Sequence, residues 1–110
     1  MGLLNSILLK LKKQKVIHSK HPGCLLEYKD FALKTSSLTI VGPLCKKDID
    51  KLVEIAKGFG ELTHLDLRDV TEILEISDNQ FHGCDSLENI ILPEELKRVG
   101  ESAFEYCRNL

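Results

Sequence analysis

The spacing of apolar residues changes along this chain, and each change predicts a different element. In residues 3–11 (LLNSILLKL), Leu3, Leu4, Ile7, Leu8 and Leu11 share one helical face. Their arc of about 140° is the width of a core-facing stripe. Lys10, Lys12 and Lys13 fall outside that arc, Leu9 faces away from it, and the pattern fades by Lys15. Residues 18–24 (HSKHPGC) break the chain, with Pro22-Gly23 as a turn. Alternation begins at Ser37: Ser37-Leu38-Thr39-Ile40-Val41 predicts a short strand that ends at Gly42-Pro43. Ile49, Leu52, Val53 and Ala56 then follow at helical spacing, with an N-cap expected near Lys47-Asp48 and a stop at Gly58. Leu62-Thr63-His64-Leu65-Asp66-Leu67 has the pattern L-x-x-L-x-L and predicts a second short strand.

The last third repeats itself. Phe81-His-Gly-Cys84-Asp-Ser-Leu87 recurs as Phe104-Glu-Tyr-Cys107-Arg-Asn-Leu110, displaced by 23 residues at each matched position. Ile73 and Ile76 precede the first copy as Leu96 and Val99 precede the second. Leu62, Leu65 and Leu67 correspond to Leu87, Ile90 and Leu92 at a spacing of 25. A period of about 20–29 residues with this leucine spacing is the signature of leucine-rich repeats. One such unit has a short strand and a return segment and cannot bury its apolar side alone. Stacking places equivalent leucines, phenylalanines and cysteines in continuous ladders. By the same offset the partner of Ile90 is position 113, past Leu110, so the last repeat is expected to be truncated.

Composition sharpens this picture. Tryptophan is absent and aromatics are only 5%, so the core must be aliphatic. Residues 1–34 carry seven lysines against Glu27 and Asp30, a net +5, whereas residues 35–110 carry eight basic against fifteen acidic residues, a net −7. The chain therefore divides into a basic N-terminal helix and linker over 1–34, acting as cap or arm, and a repeat domain over 35–110. An acidic body excludes nucleic acid as the main ligand, because affinity there comes from neutralising phosphates. No apolar run approaches the roughly 20 residues that span a bilayer. Lysines also interrupt the N-terminal stretch where a signal peptide needs its apolar region, so the residues themselves assign no compartment.

The repeat resembles the BspA-like subclass of leucine-rich repeats, whose unit looks like I-x-x-x-A-F-x-x-C-x-x-L-x-x-I-x-L-P. Val99-Gly-Glu-Ser-Ala103-Phe104-Glu-Tyr-Cys107-Arg-Asn-Leu110 matches its first half, and Phe81 through Leu87, Ile90, Leu92 and Pro93 match from the phenylalanine onward. The earlier segment from Ser37 to Val70 is similar to the strand–helix–strand unit that opens many such arrays. Gln80 departs from the alanine usual in the family, and Ser77 stands where the second copy has Gly100. The resemblance implies a noncatalytic recognition module, secreted or displayed at a cell surface, with adhesion or host-protein binding as common roles.

The expected fold is thus an α/β leucine-rich-repeat solenoid of short parallel strands stacked as coils. It has one helix-containing opening unit, and the amphipathic N-terminal helix serves as cap or arm. Residues flanking the inward leucines face the concave side: Ser37, Thr39, His64, Asp66, Asn89 and Ile91. His64 beside Asp66 is the one pair that hints at acid–base work, but no nucleophile, oxyanion donors or phosphate-cradling glycine loop accompanies it. No enzyme and no cofactor is expected.

Phe81, Cys84, Leu87, Phe104, Cys107 and Leu110 are repeat positions, with the cysteines behaving as small buried hydrophobes. His18-x-x-His21-x-x-Cys24 sets soft ligands at short spacing, with Cys45 a candidate fourth. Zinc sites usually take two ligands from each of two knuckles, so a solvated polar linker is the expected reading and no metal is assigned. Met1-Gly2-x-x-x-Ser6 fits the myristoylation pattern and a basic stretch follows, a two-part membrane anchor in principle. Packing of that stripe over an end of the repeat stack is the preferred reading. The leading expectation is recognition of a protein partner through Thr39, His64, Asp66, Asn89 and Ile91. The second is a homo-oligomer formed at the strand edge near residues 90–92 or by exchange of the N-terminal arm. Peripheral membrane contact through residues 1–20 comes third.

Overall fold

The computed structural model describes residues 14–29, 35–58 and 61–110. The helix expected over residues 3–11 and the myristoylation pattern lie outside them.

Among the described residues the main sheet has five strands, of which β1 (Gln14–His18), β2 (Ser37–Pro43), β3 (His64–Asp66) and β6 (Asn89–Ile91) lie side by side in that order. β4 (Val70–Thr71) pairs with the end of β2, and β5 (Glu75–Ile76) with β7 (Arg98–Val99) forms a separate two-stranded ladder. All of these pairings are parallel. Parallel neighbours require a crossover, and α1 (Lys46–Gly58) supplies the one between β2 and β3. Between β5 and β6 the chain crosses over in turns, on which Phe81, Cys84 and Leu87 are fully buried. This is an α/β repeat-type fold.

The alternating side chains of the main sheet separate core from solvent. On the inner side Leu38, Leu65 and Ile90 are direct cross-strand partners, and Ile17 pairs with Ile40. Leu38, Ile40, Leu65 and Ile17 are all essentially inaccessible. Helix α1 closes this core with Ile49, Leu52, Val53, Ile55 and Ala56, all buried. The expected helical spacing accounts for four of these five.

Three local features differ from the sequence expectation. Residues 14–18, placed within the N-terminal arm and linker, form strand β1 of the main sheet. Only Ile17 supplies an inward apolar residue there. Lys15 takes the other inward position, opposite Leu38, and carries its ammonium to 5.9 Å from the centre of the Tyr28 ring. A lysine at a core-facing position hides the strand period, although its aliphatic stem covers apolar surface well.

Second, β2 runs through Gly42 and Pro43, which pair with Val70 and Thr71. Gly42 is needed there: its φ is 107°, and a Cβ would overlap the Ser19 carbonyl oxygen. Third, Asp48 caps α1 from inside the first turn. Its Oδ2 accepts the Cys45 N–H at 2.8 Å and the Gly23 N–H at 2.7 Å, and its Oδ1 accepts the Leu25 N–H at 3.0 Å. The carboxylate is fully buried and lies at the positive end of the helix. It fastens the Pro22-Gly23 turn and the short 3-10 helix Cys24–Glu27 to α1.

The 23-residue copies pack directly on one another. Glu75 and Ile76 pair with Arg98 and Val99, and the Phe81 and Phe104 rings stack at 5.3 Å. The Phe81 N–H donates to the Ala103 carbonyl and the Gly83 N–H to that of Glu105. Asn79 and Ser102, also 23 residues apart, share left-handed backbones with φ of 60° and 55°. Gly100 lies where the copies press closest, since a Cβ there would overlap the Asp78 backbone nitrogen and Oδ1.

Burial is not equal between the copies. Leu87 is inaccessible but Leu110 is 47% exposed, and Ile76 is inaccessible but Val99 is 47% exposed. Phe104 is half-buried where Phe81 is fully buried. Leu110 is therefore not the core residue its repeat position suggested: the first copy is covered by the second, whereas among the described residues nothing covers the second in turn.

Candidate functional site

The outward positions of the main sheet assemble into two rows. Ser37, His64 and Asn89 stand side by side in one, and Thr39, Asp66 and Ile91 in the other. Together they line a shallow depression of about 250 Å³. All six residues named from the sequence thus share one face. An adjoining depression of about 470 Å³ is lined by Gln14, Ser36, Thr63 and Glu88 and shares Ser37 and His64 with the first. The parallel register extends both rows by one strand, to Gln14 beside Ser37 and Val16 beside Thr39. Gln14 and Val16 escaped sequence reasoning, although Gln14 and Ser37 keep the same 23-residue spacing as the copies further on.

Two polar groups of the face, His64 and Asp66, are held by their neighbours. Thr63 Oγ1 donates to the Ser36 carbonyl at 2.9 Å and lies 2.8 Å from His64 Nδ1. That contact orients the imidazole and leaves Nε2 as the ring nitrogen for a ligand. Asp66 Oδ1 accepts the Arg68 N–H at 3.0 Å, and its Oδ2 is 3.6 Å from the Arg68 guanidinium. The Arg68 side chain is 53% exposed, so this pair is weak and open to exchange. His64 and Asp66 thus each hydrogen-bond elsewhere, to Thr63 and Arg68.

The soft-ligand residues behave differently. His18, His21 and Cys24 line one concavity of about 340 Å³ with Glu27 and Tyr28. Among the described residues, however, no three His, Cys, Asp or Glu side chains are grouped to hold a metal ion. Cys45 instead precedes α1 and gives its N–H to Asp48. His21 is exposed and its pKa is raised, first by the Pro22 carbonyl at Nδ1 and then by Glu27, 3.1 Å from Nε2.

Cys24, Cys45, Cys84 and Cys107 are all free thiols, three of them buried. Cys107 Sγ donates to the Phe81 carbonyl. Burial, and then the neighbouring Cys107, push the Cys84 thiol up to about 11. Cys84 and Cys107 fill the repeat core, and the raised Cys84 thiol is a poor nucleophile. Gln80, the departure from the repeat's alanine, also has structural work: its Oε1 accepts the Ser77 N–H and its Nε2 reaches Asp50 Oδ1 on α1.

Among the described residues no helix is long and apolar enough to cross a membrane. No curated protein and no solved structure matches the chain significantly. A family model does match: residues 57–110 fit the BspA type leucine rich repeat region, a model of 6 copies. The match begins at the end of α1 and takes in β3, β6 and both 23-residue copies. Residues 57–110 of this chain are thus a BspA-type leucine-rich repeat region.

Proposed function

We propose that the chain is a noncatalytic protein-recognition module, a short solenoid that binds a protein partner on the outward rows of its main sheet. The observation that carries this reading is the common register of Ser37, His64 and Asn89 with Thr39, Asp66 and Ile91 over one shallow depression. Each of these side chains alternates with an inward residue, so the core fixes the backbone that presents them, and the Thr63 contact presets His64. Preset groups bind with less ordering cost than mobile ones. The family's common setting, adhesion or host-protein binding at a cell surface, suits such a platform.

The test begins with a partner captured by the wild-type chain and identified. Its Kd is then measured against wild type and against a His64→Ala, Asp66→Ala variant whose melting curve matches wild type. Affinity is expected to fall by about tenfold or more. An unchanged Kd moves the site off this face.

One observation favours self-association as a second reading. Val99, Tyr106 and Leu110 are each about half exposed on the last copy, alongside the half-buried Phe104. Light scattering is expected to show a dimer or larger species at micromolar concentration, and a clean monomer sinks the idea.

A further inference from the structure

The geometry points to the chemistry of the partner: this face takes lysine or arginine side chains from an extended segment, with Asp66 and Glu88 as counter-charges and His64 between them. The inference rests on the recognition reading above and deepens it.

Both carboxylates that line the two depressions carry the same charge. Asp66 lines the first depression and Glu88 the second, while His64 and Ser37 belong to both. Among the described residues no lysine or arginine lines either. The remaining polar groups, Ser37, Thr39 and Asn89, offer acceptor oxygens that suit ammonium or guanidinium donors. Arg68 already shows that Asp66 accepts a guanidinium. It does so from the half-exposed outer side at 3.6 Å, where a partner cation can replace it. An anionic segment meets the opposite situation: two carboxylates, with Arg68 already paired to one of them, a repulsion that rejects wrong partners.

The spacing suits an extended ligand. Glu88 lies three positions before Ile91, the cross-strand partner of Asp66. The two carboxylates are therefore on the order of 10 Å apart along the strand direction. Alternate side chains of an extended segment stand about 7 Å apart, and flexible lysine stems cover the difference.

The experiment uses the full 110-residue chain, labelled for amide NMR, and three five-residue peptides. In each, three threonines alternate with two lysines, two glutamines or two glutamates. The lysine peptide is expected to shift the amides of His64–Asp66 and Asn89–Ile91 saturably, with at least about tenfold preference over the glutamate peptide. Asp66→Asn combined with Glu88→Gln should abolish that preference while leaving the rest of the spectrum in place. Equal binding of all three peptides overturns the inference, as do lysine-dependent shifts scattered over Glu94, Glu95 and Glu101. If the neutral or acidic peptide binds the face instead, the recognition reading survives and this inference alone falls. If no peptide shifts the face, the inference is overturned, and the His64→Ala, Asp66→Ala comparison decides the recognition reading separately.

Discussion

Replacing Asp48 with asparagine changes one atom of a fully buried side chain, and the hydrogen-bond geometry sets what that change costs. Three backbone N–H groups converge on the carboxylate: Gly23 and Cys45 on Oδ2 and Leu25 on Oδ1. Bonds to a charged acceptor contribute about 1.5–3 kcal/mol each, neutral ones about 0.5–1.5. An amide has a single acceptor oxygen. Its better orientation keeps the Gly23 and Cys45 bonds in weakened, neutral form and turns an NH2 toward the Leu25 N–H. Two weakened bonds and one buried donor without a partner, itself costing about 1–3 kcal/mol, total about 3–4 kcal/mol. Asp48→Ala leaves all three donors unpaired and should cost about 5 kcal/mol, close to the whole stability of a small domain.

Equilibrium urea unfolding is the assay. With a slope of about 1–2 kcal/mol per molar for a chain of this size, Asp48→Asn should lower the midpoint by about 2 M. Hydrogen exchange provides the local readout, since the amides of Gly23, Leu25 and Cys45 should lose protection ahead of the core. Asp69→Asn, at an exposed position, is the control and should leave the midpoint within a few tenths of a molar. An Asp48→Asn variant within about 1 kcal/mol of wild type, with those three amides still protected, would falsify the reasoning.

Further outcomes follow from the repeat contacts. Gly100→Ala forces a Cβ into the Asp78 backbone and to within 2.6 Å of the Ser77 carbonyl carbon. It should cost about 2–3 kcal/mol and lower Tm by about 10 °C or more. Arg98→Ala, two residues away, removes only exposed pairs with Glu75 and Asp78 at 3.4 Å, so its melting curve should differ by less than about 1 kcal/mol. The raised pKa of Cys84 makes a contribution to stability that is complete below pH 9.0 and is lost as pH rises toward about 11, because the unfolded thiol ionises first. Unfolding curves from pH 8 to about 11 should therefore fall more steeply for wild type than for Cys84→Ala; parallel slopes refute the assignment. Thiol labelling of the native chain should reach Cys45, the one cysteine not buried, before Cys84 and Cys107.

The outward rows were legible in the sequence because L-x-x-L-x-L fixes which positions point inward, and a period of two then fixes the rest. The 23-residue copies were legible because Phe81, Cys84 and Leu87 keep register with Phe104, Cys107 and Leu110 together. β1 was not, since Lys15 occupies a core-facing position and Val16 an outward one, reversing the usual polarity of both. Nor was the role of Asp48: an acidic residue in a first helical turn satisfies the dipole anywhere, and only the tertiary approach of Gly23 and Leu25 buries it. Leu110 shows the converse. Its repeat position is that of a core leucine, but burial depends on a neighbour beyond the unit itself.

The register of the strands also bears on how the chain folds. Pairings join residues 23 apart between β1 and β2, 27 between β2 and β3, 25 between β3 and β6 and 28 between β2 and β4. Loop-closure entropy grows only as the logarithm of length, so each step costs nearly the same and none waits for a distant part of the chain. A ribosome adding about 5–20 residues per second releases such a segment every few seconds. Closure of a short loop takes well under a millisecond. Each strand can therefore dock on its predecessor before the next has emerged, and the sheet grows in the order in which it is synthesised.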